Sequence, residues 1–395
     1  MEKKTNNWMS AGWRASGRYL YELCRAGLNN EEAPMIPDEA SWEQVFQLAG
    51  HNSIQSIAYY GLLHSPKLPE DFLMERWKKD LFFTVSRQTQ MDLVREQLAL
   101  RMDEENVDYL FLKGIVLQDY YPREGMRQMS DNDILYRYQN EDERGMGSQS
   151  QKKMKEIMES LNACSISDDG VVDVFLVEPL SLFEMHREFL GPDHPLYDYY
   201  HHLLDLASPE DPSRPHRLSL SLEEHYILML VHSYKHYSSG GCGPREILDC
   251  RQYVSVQGKK MDWDLTKKKL QEFGLLEYEE MLRHLSDVIF GLCEGSEEDW
   301  EKLDWFMGCG TYGSRQNAIR NTLAEMESEG VSPIQAKARY IWKRLFPEPA
   351  YLQTHFPFFY RHRSMIIFLL VYRTARGLAK SRSRLFKEWK DIQKV

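Results

Sequence analysis

The sequence predicts an α+β protein, and three observations carry that expectation. Apolar residues recur at helical spacing up to about residue 105, give way to short apolar runs between 106 and 190, and return to helical spacing from Ser221 onward. These shifts divide the chain into a helical region at 1–105, a mixed core at 106–190, a helical region at 191–335 and a basic helical region at 336–395.

In the first region Val45 and Leu48, then Ile54, Ile57, Ala58 and Leu62, fall three and four apart, and Asp92 to Glu105 continues the pattern. The stretch VDYLFLKG (107–114) is short, apolar and stopped by Lys-Gly, as a buried strand is. GIVLQDYY predicts a short helix ended by Pro122, and DNDILYR (131–137) a second strand after the loop PREGMRQMS. QNEDERGMGSQSQ reads as an exposed loop, while Met154, Ile157, Met158 and Leu161 predict an amphipathic helix over 151–162. VVDVFLV and LSLFEMHREFL, parted by Glu178-Pro179, predict two further strands. Ser221 and Glu224 have the spacing of a capping box at the start of the next helix, HYILMLVHSYKHY.

Composition narrows the class. With 42% hydrophobic and 28% charged residues the chain is folded rather than disordered, and a net charge of -11 argues against general polyanion binding, duplex nucleic acid included. The charge is uneven: residues 337–395 carry fourteen Lys/Arg against three acids, which leaves about -22 on the rest. Such a tail suits an acidic partner, a phosphate-rich ligand or the acidic body of the protein itself. Six scattered cysteines with no C-x-x-C pair read as reduced thiols, no apolar leader follows the first lysines, and no apolar run is long enough to span a membrane. The expected location is cytoplasmic. MIIFLLVY (365–372) is expected as buried helix.

Two acids stand out. On a strand Asp131 and Asp133 project to one face, roughly 6.5 to 7 Å apart along the backbone, an arrangement suited to carboxylates that share divalent cations. Desolvating both without a cation or partner costs several kcal/mol or more. A third carboxylate would complete such a site, and alternation leaves Asp173 and Glu184 both open. Lys113-Gly114 ends a strand and opens a helix, where free backbone N–H groups favour an anion, and Arg127 offers a phosphate fork. His225, His232 and His236 share a helix face, where packing or hydrogen bonding is the commoner role. Arg245 and Asp249, four apart, are expected to form a supporting ion pair. No Walker A loop, G-x-S-x-G, H-E-x-x-H or G-x-G-x-x-G motif is present.

Taken together, FLKGIVLQDYYPREGMRQMSDNDILY, LFEMHREF and LVHSYKHYSSGGCGPREILDCRQYV resemble the poorly characterised nucleotidyltransferase family within the DNA polymerase beta-like superfamily. The resemblance implies a polymerase beta-like core, a mixed sheet with helices, embedded in mainly helical N- and C-terminal regions. It further implies transfer of a nucleoside monophosphate from a nucleoside triphosphate to a hydroxyl acceptor. Asp131, Asp133 and Glu184 would be the catalytic acids and ligands of Mg²⁺ or Mn²⁺, with Lys113, Gly114 and Arg127 on the nucleotide and His186, His232, His236, Arg245 and Asp249 in support. The family's middle residue in Asp-x-Asp is usually aliphatic. Asn132 stands there in this chain, and a buried Asn needs a hydrogen-bond partner. The opposing class is a non-catalytic nucleotide-binding or protein-interaction module on the same fold.

Overall fold

The computed structural model describes residues 10–138, 147–168, 170–313, 315–328 and 331–346, with short stretches between 352 and 369. Four helices open the chain: α1 (Ala11–Asn29), α2 (Trp42–His51), α3 (Gln55–Leu62) and the long α4 (Asp71–Glu104). Gly27 and Gly61 let α1 and α3 touch backbone to backbone: a Cβ on Gly61 would stand 1.8 Å from the Leu23 carbonyl oxygen. The sheet follows, with β1 (Val107–Phe111), α5 (Gly114–Leu117), β2 (Asn132–Tyr138), α6 (Gln149–Ser160), β3 (Cys164–Asp168), β4 (Val172–Val177) and β5 (Ser181–His186). The short α7 (Tyr197–Tyr200) leads to β6 (Ser208–Asp211) and β7 (Arg214–Ser219), and the chain then turns helical from α8 (Leu222–Ser239) and α9 (Arg245–Gln257) through α10 (Trp263–Glu272), α11 (Leu276–Ile289), α12 (Glu297–Cys309), α13 (Arg315–Ser328) and α14 (Pro333–Leu345).

The α+β expectation holds. Seven strands form one mixed sheet in the order β3-β4-β5-β2-β1-β7-β6. β2 is central, antiparallel to β1 and parallel to β5, and it is buried on both faces. Ile134 and Tyr136 join a core with Phe183, Met185, Met154, Met158 and Leu98, while Leu135 joins the larger core built from the helices. Burial on both faces is why DILY reads as a continuous apolar run.

Three expectations change. β3 is absent from the sequence reading because CSISD is an edge strand with mostly exposed residues, so it shows no apolar alternation. β6 and β7 lie inside the 191–335 segment expected to be helical. Pro209, Pro215 and the charges around them mask the strand signal, yet β7 pairs parallel with β1 at the far side of the sheet. The exposed loop expected at 139–151 ends early: α6 begins at Gln149, and Ser150 and Gln151 are buried. Residues 139–146 lie outside the described residues, as do 371–395 of the basic tail and most of the MIIFLLVY run. Among the described residues no helix is long and apolar enough to cross a membrane, and the six cysteines form no disulfide with one another.

Only half of the expected capping box forms at α8. The Ser221 hydroxyl accepts from the Glu224 N–H at 3.2 Å, whereas the Glu224 carboxylate is taken by Tyr199 and Lys269.

Candidate active site

The parallel register of β2 and β5 sets Asp133 beside Glu184 and Leu135 beside His186. Alternation then fixes the faces. Ile134, Phe183 and Met185 turn into the smaller core, while Asp133, Glu184 and His186 turn to the opposite side. There they line a cavity of about 630 Å³ together with Lys113, Gly114, Arg127, Asp131, His232, His236, Arg245 and Asp249. All eleven residues to which the resemblance assigns a role thus line one cavity. His225 does not: it packs against the Tyr253 ring, and burial pushes its imidazole down to about 4.

Asp173 belongs elsewhere. It pairs in register with core-facing Met185, so it points away from the cavity, and its carboxylate accepts from Gln151 Nε2 at 2.8 Å beside fully buried Arg187. The register separates the two acids that sequence alternation left equivalent.

Asp133 is the hub of the cavity floor. Its Oδ1 accepts from Lys113 Nζ at 2.6 Å and lies 2.9 Å from His186 Nε2, which is 3.6 Å from Glu184 Oε2. Burial alone would raise the Asp133 carboxyl, but Lys113 and His186 together hold it well below the usual carboxylate range. Burial and the Lys113 charge would lower His186; hydrogen bonds to Asp133 and Glu184 outweigh them and raise it. Asp131, one residue ahead of the first ladder residue, is pushed up to about 6 by burial, then by the negative charges of Asp133 and Glu184.

Asp133, Glu184 and His186 bring one donor atom each within 4.8 Å of one another. Two carboxylates and an imidazole fit a divalent cation, and among the described residues His186 Nδ1 is buried without a hydrogen-bond partner. Asp131 shares the cavity but stands outside this closest group.

Lys113 reaches Asp133 from a strained backbone, with φ 50° and ψ -121° in a non-glycine residue. The unusual conformation sits on the lysine rather than on Gly114. A Cβ on Gly114 would meet Met129 Sδ at 3.2 Å, so its glycine serves close packing. Asn132, fully buried on the other face, finds its partner in α4, where Arg95 Nη1 donates to its Oδ1 at 3.0 Å.

Two expected roles change. Arg127 is not a free phosphate fork: its Nε donates to Asp249 at 2.7 Å, its Nη1 to the Gln128 carbonyl, and Tyr121 donates to the same Asp249 oxygen. Asp249 therefore pairs with Arg127 rather than with Arg245. The buried Asp249 carboxylate turns instead to a loop residue that the sequence places 122 positions away. His232 and His236 face each other, Nε2 to Nε2 at 3.2 Å, and both are held neutral near pH 7, chiefly by burial and then by Lys113; His236 falls to about 4.

Tyr312 and Glu246 also line the cavity, and motif reading passed over both. The Tyr312 hydroxyl meets Ser130 Oγ at 2.5 Å, which places the turn after α12 over the start of the Asp-x-Asp strand. Its only signal in the sequence is the glycine pair around it. Gly313 has φ 70°, and a Cβ there would stand 2.2 Å from the Gly241 carbonyl oxygen.

A search of curated proteins returned no match. Among solved structures, the antibiotic-resistance factor ANT(2'')-Ia in solution aligns with 14% identity over 49% of this chain and 97% of that one, at a TM-score of 0.32. A likeness at that score decides neither fold nor function. The family model described as an uncharacterised nucleotidyltransferase matches residues 38–291, well over half of the chain and the whole of the cavity floor. The chain belongs to that family of uncharacterised nucleotidyltransferases.

Proposed function

We propose that the protein transfers a nucleoside monophosphate from a nucleoside triphosphate to a hydroxyl acceptor at this cavity. The observation that carries the reading is the β2–β5 register, which puts Asp133 and Glu184 side by side on the cavity floor with Asp131 at its edge. In the transfer, the acceptor oxygen forms a bond to the α-phosphorus and gives up its proton to a nearby carboxylate or to solvent, the bond from that phosphorus to the α,β-bridging oxygen breaks, and pyrophosphate leaves. Asp133, Glu184 and Asp131 would hold Mg²⁺ or Mn²⁺, with His186 beside them. The metal would supply charge neutralisation at the phosphates and a more acidic acceptor hydroxyl. Lys113 then has two roles in prospect: it balances Asp133 when no substrate is bound, and it offers its charge to phosphate when one is.

The lysine also supports a second reading. An ammonium 2.6 Å from Asp133 already neutralises the carboxylate, as it would in a nucleotide-binding or interaction module that has given up catalysis. One experiment separates them. Thermal melts are recorded with Mg²⁺ or Mn²⁺ and each of the four ribonucleoside triphosphates, followed by assay of pyrophosphate release. Binding to the native state alone contributes about 2.7 kcal/mol at a hundredfold excess over Kd. A shift with pyrophosphate release on addition of an acceptor pool supports transfer; a shift without release supports the binding module. No shift with any triphosphate would falsify transfer and nucleotide binding alike and leave the interaction module in their place.

A further inference from the structure

Four basic side chains line the cavity, and their partners differ. Lys113 is paired with Asp133, Arg127 is paired with Asp249, and Lys235 is exposed at the rim. Arg245 stands apart. It is the first residue of α9 and only 9% exposed, yet among the described residues it has no ion-pair partner and donates no hydrogen bond. Its Nε is buried and unsatisfied. The guanidinium lies 5.8 Å from the centre of the Tyr312 ring, and its field bears on Asp131 and on His236. Its charge also bears on the neighbouring Glu246, but no described carboxylate stands within ion-pair distance; leaving a buried guanidinium without an anion in contact is costly, so the position makes physical sense when something from the cavity completes it.

The charge balance says what that something is. The cavity is walled by Asp131, Asp133, Glu184, Asp193, Glu246 and Asp249, and two of its four cations are held by two of those acids. A triphosphate entering such a site needs a cation that the protein's own carboxylates have not claimed, and a planar fork with free donors fits phosphoryl oxygens.

We propose that Arg245 is the phosphate receptor of the site, donating to an oxyanion of the bound nucleoside triphosphate in the place that the sequence gives to Arg127. The proposal rests on the nucleotidyl-transfer reading and adds the residue that recognises the triphosphate. Tyr312, bound to Ser130 and lying beside the guanidinium, keeps the fork facing the cavity.

The test measures equilibrium binding of magnesium tripolyphosphate, of the four nucleoside triphosphates and of the matching nucleosides to wild type, Arg245→Gln and Arg245→Lys. Circular dichroism and thermal melts check folding. Loss of a charge-assisted hydrogen bond predicts triphosphate and tripolyphosphate binding weakened roughly tenfold to a hundredfold in Arg245→Gln, nucleoside binding unchanged, and partial recovery in Arg245→Lys. Equal weakening of nucleoside and triphosphate would overturn the proposal. So would an unchanged triphosphate affinity with a raised KM for the acceptor, since the anion would then be the acceptor's. If Arg245→Gln does not fold, Arg245→Lys decides: it keeps the charge and loses the fork, and wild-type triphosphate affinity in it sinks the proposal. Wild type that binds no triphosphate removes the nucleotidyl-transfer reading itself, a result distinct from wild type that binds while Arg245→Gln binds equally well.

Discussion

Arg127 and Asp249 form a buried ion pair, Nε to Oδ1 at 2.7 Å, that ties the loop ahead of β2 to helix α9. Tyr121 closes the arrangement from the end of the short helical segment after Lys113. Two faces of the cavity are thereby held at a fixed spacing by groups that are themselves almost wholly dry.

Removing one member of this pair strands the other. Arg127→Met is expected to destabilise the protein by about 3–5 kcal/mol, read from urea unfolding, because Asp249 is left buried and unpaired. Replacing both residues by apolar ones of similar volume should recover much of that loss. A single mutant with wild-type stability would show that the pair does not hold the two faces together.

Glu184 and Asp173 should separate cleanly. Glu184→Gln is expected to lose metal-dependent triphosphate binding with little change in melting temperature, since the side chain is partly exposed at the cavity. Asp173→Asn, which disturbs Gln151 and Arg187 away from the cavity, is expected to lower stability by about 1–3 kcal/mol and leave binding intact. The reverse pattern in a titration of both variants would remove Glu184 from the site.

The acids of the floor predict a specific pH dependence in EDTA. Asp131 is raised to about 6, so between the ordinary carboxylate range and pH 6 the folded chain holds a proton that the unfolded chain has lost. That contribution is present at low pH and is lost as pH rises through about 6. His186 is also raised, and its contribution is lost on the alkaline side of the ordinary imidazole range. Asp133 is depressed, so its stabilisation disappears only as pH falls below the ordinary carboxylate range. Asp131→Asn should therefore melt above wild type at pH 7.5 and converge with it as pH falls below the ordinary carboxylate range. Asp133→Asn should melt below wild type at pH 7.5, because Lys113 loses its partner. Parallel curves for wild type and Asp131→Asn across this range would contradict the assignment.

The turn after α12 depends on Gly313. Gly313→Ala would press a methyl group onto the Gly240 and Gly241 carbonyls at a positive φ, and about 1–3 kcal/mol of destabilisation is expected. Displacing the turn also moves Tyr312 off Ser130, so triphosphate affinity should fall even where the protein remains folded. Unchanged affinity in a destabilised variant would limit the turn to a structural role.

Local pattern determined much of this protein. β1, β2, β4 and β5 were legible because buried strands are short, apolar and bounded by turn residues, and DILY carries that signal on both faces. The motifs and the resemblance named eleven of the residues that line the cavity, since residue type and spacing state what chemistry a side chain offers. Tertiary structure decided the rest. Strand register alone distinguishes Glu184 from Asp173, because the two alternate alike and differ only in which neighbour each faces. The partner of Asp249 comes from a loop 122 residues distant, and local spacing proposes only the neighbour four residues away. β3 and the β6–β7 hairpin owe their place in the sheet to hydrogen bonds with neighbouring strands, while their polar side chains and prolines argue locally for loops. Sequence specifies what each residue can do; which residues face one another is a property of packing, where contacts far apart in the chain outweigh local preference.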